Sequence, residues 1–381
     1  MRCTSPQVPG TGTSLHRLDD RPDGCFVRTG AQLAAVAALF VGNFGAFAQC
    51  TPAAVGATGL CPAGASLGAF SGPRAGAYLG DQRLSNFVFA HSLQDRWGDS
   101  SPDNPRTVWF RGGGLGMGST SAGGGLDTNS NAWMMQGGGD VAKFSLFGGT
   151  DRLHLGAMAG YAGTRTDAHV LGTPFSARGD TSGSGVGMYG TWYQNDRTRL
   201  GWYADVWGQY SKFSNQVQPG VPSGAGYDSQ VGMLSAETGY AMRMGETSNW
   251  VIEPQGQIIY FRNRSSSPYA AVDPAGTSVE GAHGAFASRL GVRLRSVWTQ
   301  DSGWRVRPYA AFNWWYDNAG AEIVVNPYSV RDLYPGNRYE LKAGVSVDIS
   351  PGWAGWGDLG WQWGNQSYQA WTVRGGMKYA W

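Results

Sequence analysis

Charged side chains are scarce in this sequence. Asp, Glu, Lys and Arg make up 15% of its 381 residues, well below the ~25% of ordinary soluble domains. A large apolar core would explain so few charges, but the mean hydropathy of -0.30 is not that of an apolar protein. Both features are typical of a membrane β-barrel, whose strand residues face lipid and a polar lumen in alternation. A soluble sandwich or propeller would share the 60 glycines, but it does not explain the strand lengths described below.

Sequence signatures of catalysis, metal binding and nucleic-acid binding are also absent. The five histidines have no metal-ligand spacing, and the sequence has no basic run and no zinc module. One Gly-x-Ser-x-Gly match, Gly64–Gly68, lies in a low-complexity segment, whereas a nucleophile elbow joins a strand to a helix. We therefore predict no catalytic residue, no metal site, no cofactor and no nucleic-acid partner.

The first part of the chain has the features of an export signal. Arginines precede the apolar run Leu33–Val41, which Gly42 and Asn43 interrupt and which is too short for a membrane-spanning helix. A small-x-small cleavage site then ends at Ala48. We predict a signal peptide over residues 1–48, with an apolar helix of the mature protein as the alternative.

Residues 49–80 are rich in Ala, Gly, Pro and Ser, so we interpret them as a short linker or vestigial passenger. Cysteine is scarce, with four in the chain, and the two after the predicted signal are Cys50 and Cys61. An exported protein can bridge two nearby cysteines, and this pair is our disulfide candidate. A lipid anchor at Cys50 fits less well because Gln49 precedes it, and two cysteines alone make a poor metal site.

The next segment is a candidate helix. Apolar residues recur every fourth position in Asp81–Trp97, as at Phe89 and Leu93, with polar residues between them. This spacing predicts an amphipathic helix, which we place at residues 81–98. The Pro and Asp residues of Ser101–Pro105 are turn formers that would end it.

From Thr107 onward the sequence predicts about twelve antiparallel strands. In Trp202–Tyr210, for example, alternate residues form two different faces, the pattern of a strand. Many strands have the ten or so residues that a tilted strand needs to cross a bilayer. Short and long connections alternate, as in outer-membrane barrels, except that the last one, Asn365–Gln369, is short where a long one is expected. The short ones are Asn195–Thr198, Gly245–Asn249, Thr299–Gly303 and Ser350–Gly352, and the long ones are Arg165–Asp180, Ser214–Gly226, Asn263–Ser278 and Asp317–Asn337. The predicted fold is an all-β transmembrane barrel of the outer-membrane type over residues 107–381.

Polar side chains recur on one face of several predicted strands. A soluble core could not bury such a ladder, but a water-filled lumen accepts it. Acids that face one cavity could act as general acid and base, although charges that line a pore and brace a helix are the favoured interpretation. The predicted lumen residues on the strands are Asp205, Glu237, Glu253, Gln255, Gln257, Arg289 and Arg293.

The last strand ends on an aromatic residue. Met377, Tyr379 and Trp381 share one face of it, in phase with the lipid side, whereas Lys378 and Ala380 share the other. Such a strand resembles the recognition signal that the outer-membrane assembly machinery reads. The alternative is an ordinary closing strand with an aromatic anchor.

Several segments together resemble a known family. In chain order they are His91–Asp99, Val108–Gly114, Thr191–Phe213, Ser235–Met242, Ile252–Tyr260, Ser288–Ser296, Arg307–Asp317 and Tyr339–Ile349, followed by the C-terminal GGMKYAW. With these segments, the region from about Asp81 to Trp381 resembles the C-terminal translocator β-barrel of monomeric autotransporters, the type V secretion proteins.

The resemblance implies a twelve-stranded barrel with an N-terminal helix threading its lumen. It implies insertion into the bacterial outer membrane, with outer-membrane lipid, the barrel-assembly machinery and periplasmic chaperones as partners. In such a barrel Arg83, Asp95 and Arg96 of the helix would pair with lumen residues such as Glu237, Glu253 and Arg289. The family role is passage of an N-terminal passenger to the cell surface, and the passenger expected here is very short.

Two other functions stay open from the sequence. The long loops, with Tyr269, Tyr328 and Tyr334 as aromatic contact residues, could bind a surface ligand in adhesion. Alternatively, the barrel could be a small pore, which would show a steady conductance if its lumen were empty.

Overall fold

The structure is a computed structural model, and it describes eleven segments of the chain. They are residues 72–99, 106–122, 125–218, 226–265, 277–278, 284–300, 303–318, 323–325, 328–330, 333–350 and 352–381. The predicted signal peptide, the Cys50–Cys61 disulfide candidate and Tyr269 lie outside these segments, so those predictions stay untested.

Long antiparallel strands form a closed barrel, as the alternation predicts. The strands are β1 (Thr107–Thr120), β2 (Leu126–Phe144), β3 (Arg152–Val170), β4 (Ser176–Tyr193), β5 (Gly201–Gln218), β6 (Gly226–Arg243), β7 (Trp250–Ser265), β8 (Thr277–Ser278), β9 (Ala285–Ser296), β10 (Trp298–Thr299), β11 (Arg305–Asp317), β12 (Ile323–Val325), β13 (Tyr328–Val330), β14 (Asn337–Ser350), β15 (Trp353–Gly364) and β16 (Gln369–Ala380). The twelve long strands pair in chain order, and β16 pairs with β1 to close the barrel. Strands β8, β12 and β13 form a separate small sheet.

The two faces of each long strand differ as the sequence predicts. On β5, Trp202 is 53% exposed on the outer wall, whereas its neighbour Tyr203 is 3% exposed and points inward. Val206, Leu234 and Ile258 are exposed on the same wall, so the outside of the barrel is an apolar surface of the kind that faces lipid. Neither described helix is both long and apolar enough to cross a membrane.

The barrel has two ends with different connections. We call the end at which β1 begins and β16 finishes the turn end; its connections are 145–151, 194–200, 244–249, 297–304 and 351–352. We call the opposite end the loop end; its connections are 121–125, 171–175, 219–225, 266–284, 318–336 and 365–368.

Two of the predicted long loops are wrong. Most of Arg165–Asp180 is strand, since β3 runs to Val170 and β4 begins at Ser176. The first five residues of Ser214–Gly226 are also strand, because β5 runs to Gln218, whereas residues 219–225 lie outside the described segments. The reason is that both faces of these segments are polar, which hides the alternation, while cross-strand pairing continues beyond the apolar band.

The lumen contains two helices in place of the single predicted one. Helix α1 spans Gly72–Phe87, and the five-residue helix α2 spans Leu93–Trp97. We call these helices and the residues between them the plug. Pro73 stands at the first turn of α1, where proline is favoured. Residues 72–80 of the predicted linker 49–80 are therefore helical, because α1 begins at Gly72. Small residues such as Ala77 and Gly80 let this part approach the barrel wall closely.

The interruption at residues 88–92 has a local cause. Ser92 caps α2: its hydroxyl accepts from the Asp95 amide while the Asp95 carboxylate accepts from the Ser92 amide. This capping box starts a new helix. The apolar spacing of Phe89, Leu93 and Trp97 therefore marks side chains that are buried in the barrel, but it is not the stripe of one continuous helix.

Candidate functional site

The candidate site is the lumen, where the charged residues of the plug meet the barrel wall. Arg96 is fully buried and binds Asp205 of β5, with Nη2 at 2.5 Å from Oδ1 and Nη1 at 3.3 Å from Oδ2. Its Nη2 also donates to Thr191 at 2.8 Å, and its guanidinium lies 4.1 Å from the ring centre of Tyr189. Both terminal nitrogens of the guanidinium are thus engaged and one aromatic ring packs on it, while Nε has no hydrogen-bond partner among the described residues.

Asp95 is the second buried charge of α2. It forms ion pairs with Lys342 of β14 and with Arg374 of β16, the latter at 3.2 Å. Because Asp95 and Arg96 are adjacent in a helix, they point in different directions. α2 is therefore held from two sides of the barrel, by β5 and by β14 with β16.

Glu237 and Glu253 contact α2 in a way that differs from the prediction. Glu237 accepts a hydrogen bond from the backbone amide of Leu93 at 3.1 Å, and Glu253 accepts one from the Gln94 side chain at 2.9 Å. The first amides of a helix have no partner within it and favour an acid nearby. The predicted pairing of Glu237 or Glu253 with Arg83 or Arg96 is wrong.

The other predicted lumen residues form two groups. Gln257 and Arg293 touch the plug region directly: the Gln257 amide donates to the His91 carbonyl at 2.8 Å, and Arg293 forms an ion pair with Asp99. Gln255 and Arg289 instead contact the two acids of the wall. The Gln255 amide donates to Glu253 at 2.6 Å, and Arg289 lies 3.1 Å from Glu237. Arg289 therefore pairs with a strand, and its predicted pairing with Asp95 is not present among the described residues.

Arg83 carries the ionic contact of α1. Its guanidinium lies 3.3 Å from Asp317 at the loop end of β11, and Arg338 pairs with the same carboxylate. The ring of Tyr334 lies 4.7 Å from the Arg83 guanidinium and is buried. Tyr334 therefore packs on the plug, so its predicted use as an external contact residue is wrong.

Sequence reasoning missed several residues of the site. Arg338, Glu340 and Lys342 alternate along β14 and all face the lumen; their spacing in RYELK is a signal that could have found them. Asp317, which was also missed, lies at the loop end of β11, the strand that pairs with β14. Arg111 has no such pattern around it, yet its Nη2 donates to the Phe89 carbonyl at 3.2 Å and so holds the interruption of the plug.

The C-terminal strand has the predicted orientation. Met377 and Trp381 are 53% and 46% exposed on the outer wall, and Tyr379 is half-buried on the same side. Lys378 and Ala380 are buried on the inner side. The geometry places the aromatic end of the chain at the turn end, against lipid, while its role in assembly stays a prediction.

Comparisons with known proteins identify the family. Residues 108–360 match the family model for the autotransporter β-domain. The uncharacterized protein YdeU of Escherichia coli K12 is 32% identical over 327 residues, which cover 81% of this chain and 70% of that protein. The autotransporter adhesin AIDA-I of Escherichia coli is 27% identical over 326 residues, which cover 81% of this chain but 25% of the adhesin.

A solved structure supports the fold. The transport unit of AIDA-I from Escherichia coli aligns with a TM-score of 0.67 at 24% identity, covering 81% of this chain and 99% of that structure. Barrels of this family are inserted in the outer membrane and depend in general on the barrel-assembly machinery. The family is one of transport barrels, and secretion of an N-terminal passenger across the outer membrane is its role. The chain belongs to the autotransporter β-domain family and is an outer-membrane translocator barrel.

Proposed function

We propose that this barrel delivers residues 49–71, which follow the predicted signal peptide, to the cell surface and is then closed by the plug. The direction of the plug carries this proposal. In the first half of α1, Tyr78 stacks on Tyr227 at the loop end of β6, with ring centres 5.0 Å apart. At the end of α2, Trp97 lies 4.7 Å from the ring centre of His154, near the turn end of β3.

This direction fixes which part of the chain is outside. In outer-membrane barrels the short turns are periplasmic and the long loops are external. Followed along the chain, the plug therefore runs from the external side to the periplasmic side, where β1 begins. Residues 49–71 are then on the cell surface, which is the arrangement expected after a passenger has crossed.

The ion pairs of α2 support a closed resting state. Arg96 and Asp95 engage three strands around the lumen, so α2 is seated at one depth and one rotation. We propose on the same ground that the chain has no catalytic activity of its own. Glu237 and Glu253, the candidate acids, are each engaged by an arginine and by α2.

An epitope tag at Gly59 tests the direction of transport. We expect antibody to label intact cells, and mass analysis of the mature protein to show whether the tagged segment stays attached. A tag inserted at Gly148, in the exposed turn-end connection 145–151, is the matched control and should be hidden until the outer membrane is opened. A hidden tag at Gly59 on an assembled barrel would overturn the proposal and direct attention to adhesion by the loops.

Electrical recording separates the closed barrel from the small pore. The purified protein in a planar bilayer should show little steady conductance, because the plug occupies the lumen. A steady open conductance of the unaltered protein would instead favour the pore.

We further propose that the outward face of β16 is read during assembly, and that periplasmic chaperones hold the apolar strands before insertion. Trp381→Ala should lower the amount of heat-modifiable barrel in the outer membrane. Trp371→Ala is the matched control, since Trp371 is an exposed aromatic of the same strand near the loop end. Equal loss from both changes would indicate a general need for an aromatic anchor and would contradict the signal.

A further inference from the structure

The outer wall at the loop end is not uniform around the barrel. Over β3 and β4 its charges neutralise one another across the strands. Arg165 lies 2.8 Å from Asp180, and Arg178 lies 2.7 Å from Asp167. This sector carries no excess charge at the membrane surface.

Over β5, β6 and β7 the same wall has a net positive charge, with three exposed cations and one exposed carboxylate, Asp228. The cations are Lys212, Arg262 and Arg264, whose chain neighbours on each strand point into the lumen. The strand register brings them together: Lys212 stands opposite Gln230, and Gln230 stands opposite Arg264. Within the described segments, no ion pair joins any of the three cations to a carboxylate. We call these three residues and Gln230 the basic rim patch.

The basic rim patch begins where the apolar wall ends. The outward residue before Lys212 on β5 is Tyr210, and the outward residue before Arg262 on β7 is Tyr260. Between them on β6 the last large apolar residue is Leu234, which is 56% exposed. Interfacial tyrosines of this kind stand at the level of lipid headgroups. The three cations therefore stand at headgroup level on the external side.

The patch has room for a ligand. Arg262 stands opposite Gly232, which has no side chain to cover it. Lys212 and Arg264 are separated by two strand spacings, or about 10 Å, a gap that two long flexible side chains can close around one phosphate. The Tyr210 hydroxyl donates to the Gln230 oxygen at 2.8 Å, which leaves the Gln230 amide nitrogen as a donor.

We propose that the basic rim patch binds the phosphate of an anionic glycolipid in the outer leaflet. Arginine offers a planar pair of donors to phosphate, and lysine a mobile point charge. The Gln230 amide suits a sugar hydroxyl beside that phosphate. Headgroup-level contacts are stronger than those in bulk water because lipid lowers the local dielectric. The paired sector over β3 and β4 offers a phosphate no such net attraction. The lipid therefore binds on the side of the barrel formed by β5, β6 and β7.

The test measures how many lipids stay bound. The full chain, refolded and placed in phosphatidylcholine nanodiscs, would be titrated with bisphosphorylated lipid A and analysed by native mass spectrometry. We expect the triple variant Lys212→Gln, Arg262→Gln and Arg264→Gln to retain this lipid roughly tenfold less well or worse, since charged hydrogen bonds are lost. The paired-sector variant Arg165→Gln with Arg178→Gln should bind like the unaltered protein. Heat-modifiable migration on gels would check that each variant is folded.

A second arm needs no variant. Lipid A from which both phosphates have been removed should bind the unaltered protein roughly tenfold less well or worse. Equal binding of the two lipids, or equal binding by the triple and paired-sector variants, would overturn the proposal. Displacement of bound lipid A by millimolar inorganic phosphate would also overturn it, because the site would then serve a free anion.

Discussion

The two helices of the plug are held in the lumen by different forces. α1 packs at the loop end through small and apolar residues: Ala75, Ala77 and Leu79 are all buried, and Arg83 is its only described residue in an ion pair. α2 has five residues, and two of them, Asp95 and Arg96, are in ion pairs with three strands.

The two kinds of contact differ in how firmly they fix the position of a helix in the lumen. Apolar contacts are non-directional, so a helix seated by them alone could shift along the wall at small cost. A buried ion pair has a defined geometry, and separating its partners leaves a charge without compensation. We infer that α2 sets the depth and rotation of the plug, whereas α1 mainly fills the external half of the lumen.

The largest effect should follow from removing Arg96. Arg96→Ala leaves the carboxylate of Asp205 buried beside Thr191, and loss of one partner of such a pair costs about 3–5 kcal/mol. The plug can avoid this cost by leaving its seat, so the undocked population should rise about a hundredfold or more. Single-channel recording in a planar bilayer would show this rise as open events.

The matched control removes both charges. Arg96→Met with Asp205→Leu leaves no isolated charge, so it should open the barrel less than Arg96→Ala does. If Arg96→Ala stayed closed, the positioning role of α2 would be wrong.

A change in α1 should have a smaller effect. The side chain of Thr166 already occupies the position that a Cβ of Gly80 would take. Gly80→Leu therefore overpacks this contact and should lower the free energy of unfolding by about 3 kcal/mol, the upper end for overpacking. Urea unfolding in detergent, followed by tryptophan fluorescence, would measure this loss. Arg74→Leu, at a partly buried position of the same helix, is the control and should cost less. If Gly80→Leu lowered the free energy of unfolding by more than Arg96→Ala does, the comparison between the two helices would be reversed.

Removing one of two partners should have a smaller effect again. Lys342→Ala leaves Asp95 paired with Arg374 at 3.2 Å, so we expect a loss of about 1.5 kcal/mol, the low end for a charged hydrogen bond. The double change Lys342→Ala with Arg374→Ala should lower the free energy of unfolding by more than both single changes summed, because only then is Asp95 left alone. Additive losses in the same urea assay would show that the two cations act independently.

The barrel itself could be predicted because its signal is local. Whether Trp202 or Tyr203 faces outward depends only on the alternation along one strand, and the chain repeats this pattern to Trp381. The hairpin around residues 171–175 could not be predicted in the same way. There Arg165, Asp167, Arg178 and Asp180 make the outer face polar as well, and only the cross-strand ion pairs reveal the strands.

The partners in the lumen could not be predicted because they depend on the depth and rotation of the plug. The sequence correctly indicates that Arg96 and Asp205 are buried charges of opposite sign, but it cannot say that they meet. The interruption at residues 88–92 sets where α2 stands, and it rests on the Ser92 capping box together with Arg111, which holds the Phe89 carbonyl from β1. A single residue of shift along the helix would rotate Arg96 away from Asp205.

The smallest effect concerns a carboxylate outside the membrane-spanning strands. In the turn-end connection 145–151, the hydrogen bond from the Ser145 hydroxyl, helped by the amides of Leu146 and Phe147, lowers the pKa of Asp151 to about 2. A lowered pKa means that the stabilisation is complete above the usual carboxyl pKa of about 3.8 and is lost as the pH falls through about 2. Asp151→Asn should therefore lower the melting temperature slightly at pH 7, and the difference from the unaltered protein should vanish near pH 2. Glu246→Gln, in the turn-end connection 244–249, is the control, since its carboxylate accepts no hydrogen bond from the described residues, and it should be neutral throughout. A difference for Asp151→Asn that stayed constant down to pH 2 would show that the side chain acts by shape, and that ionic positioning in this barrel is confined to the lumen.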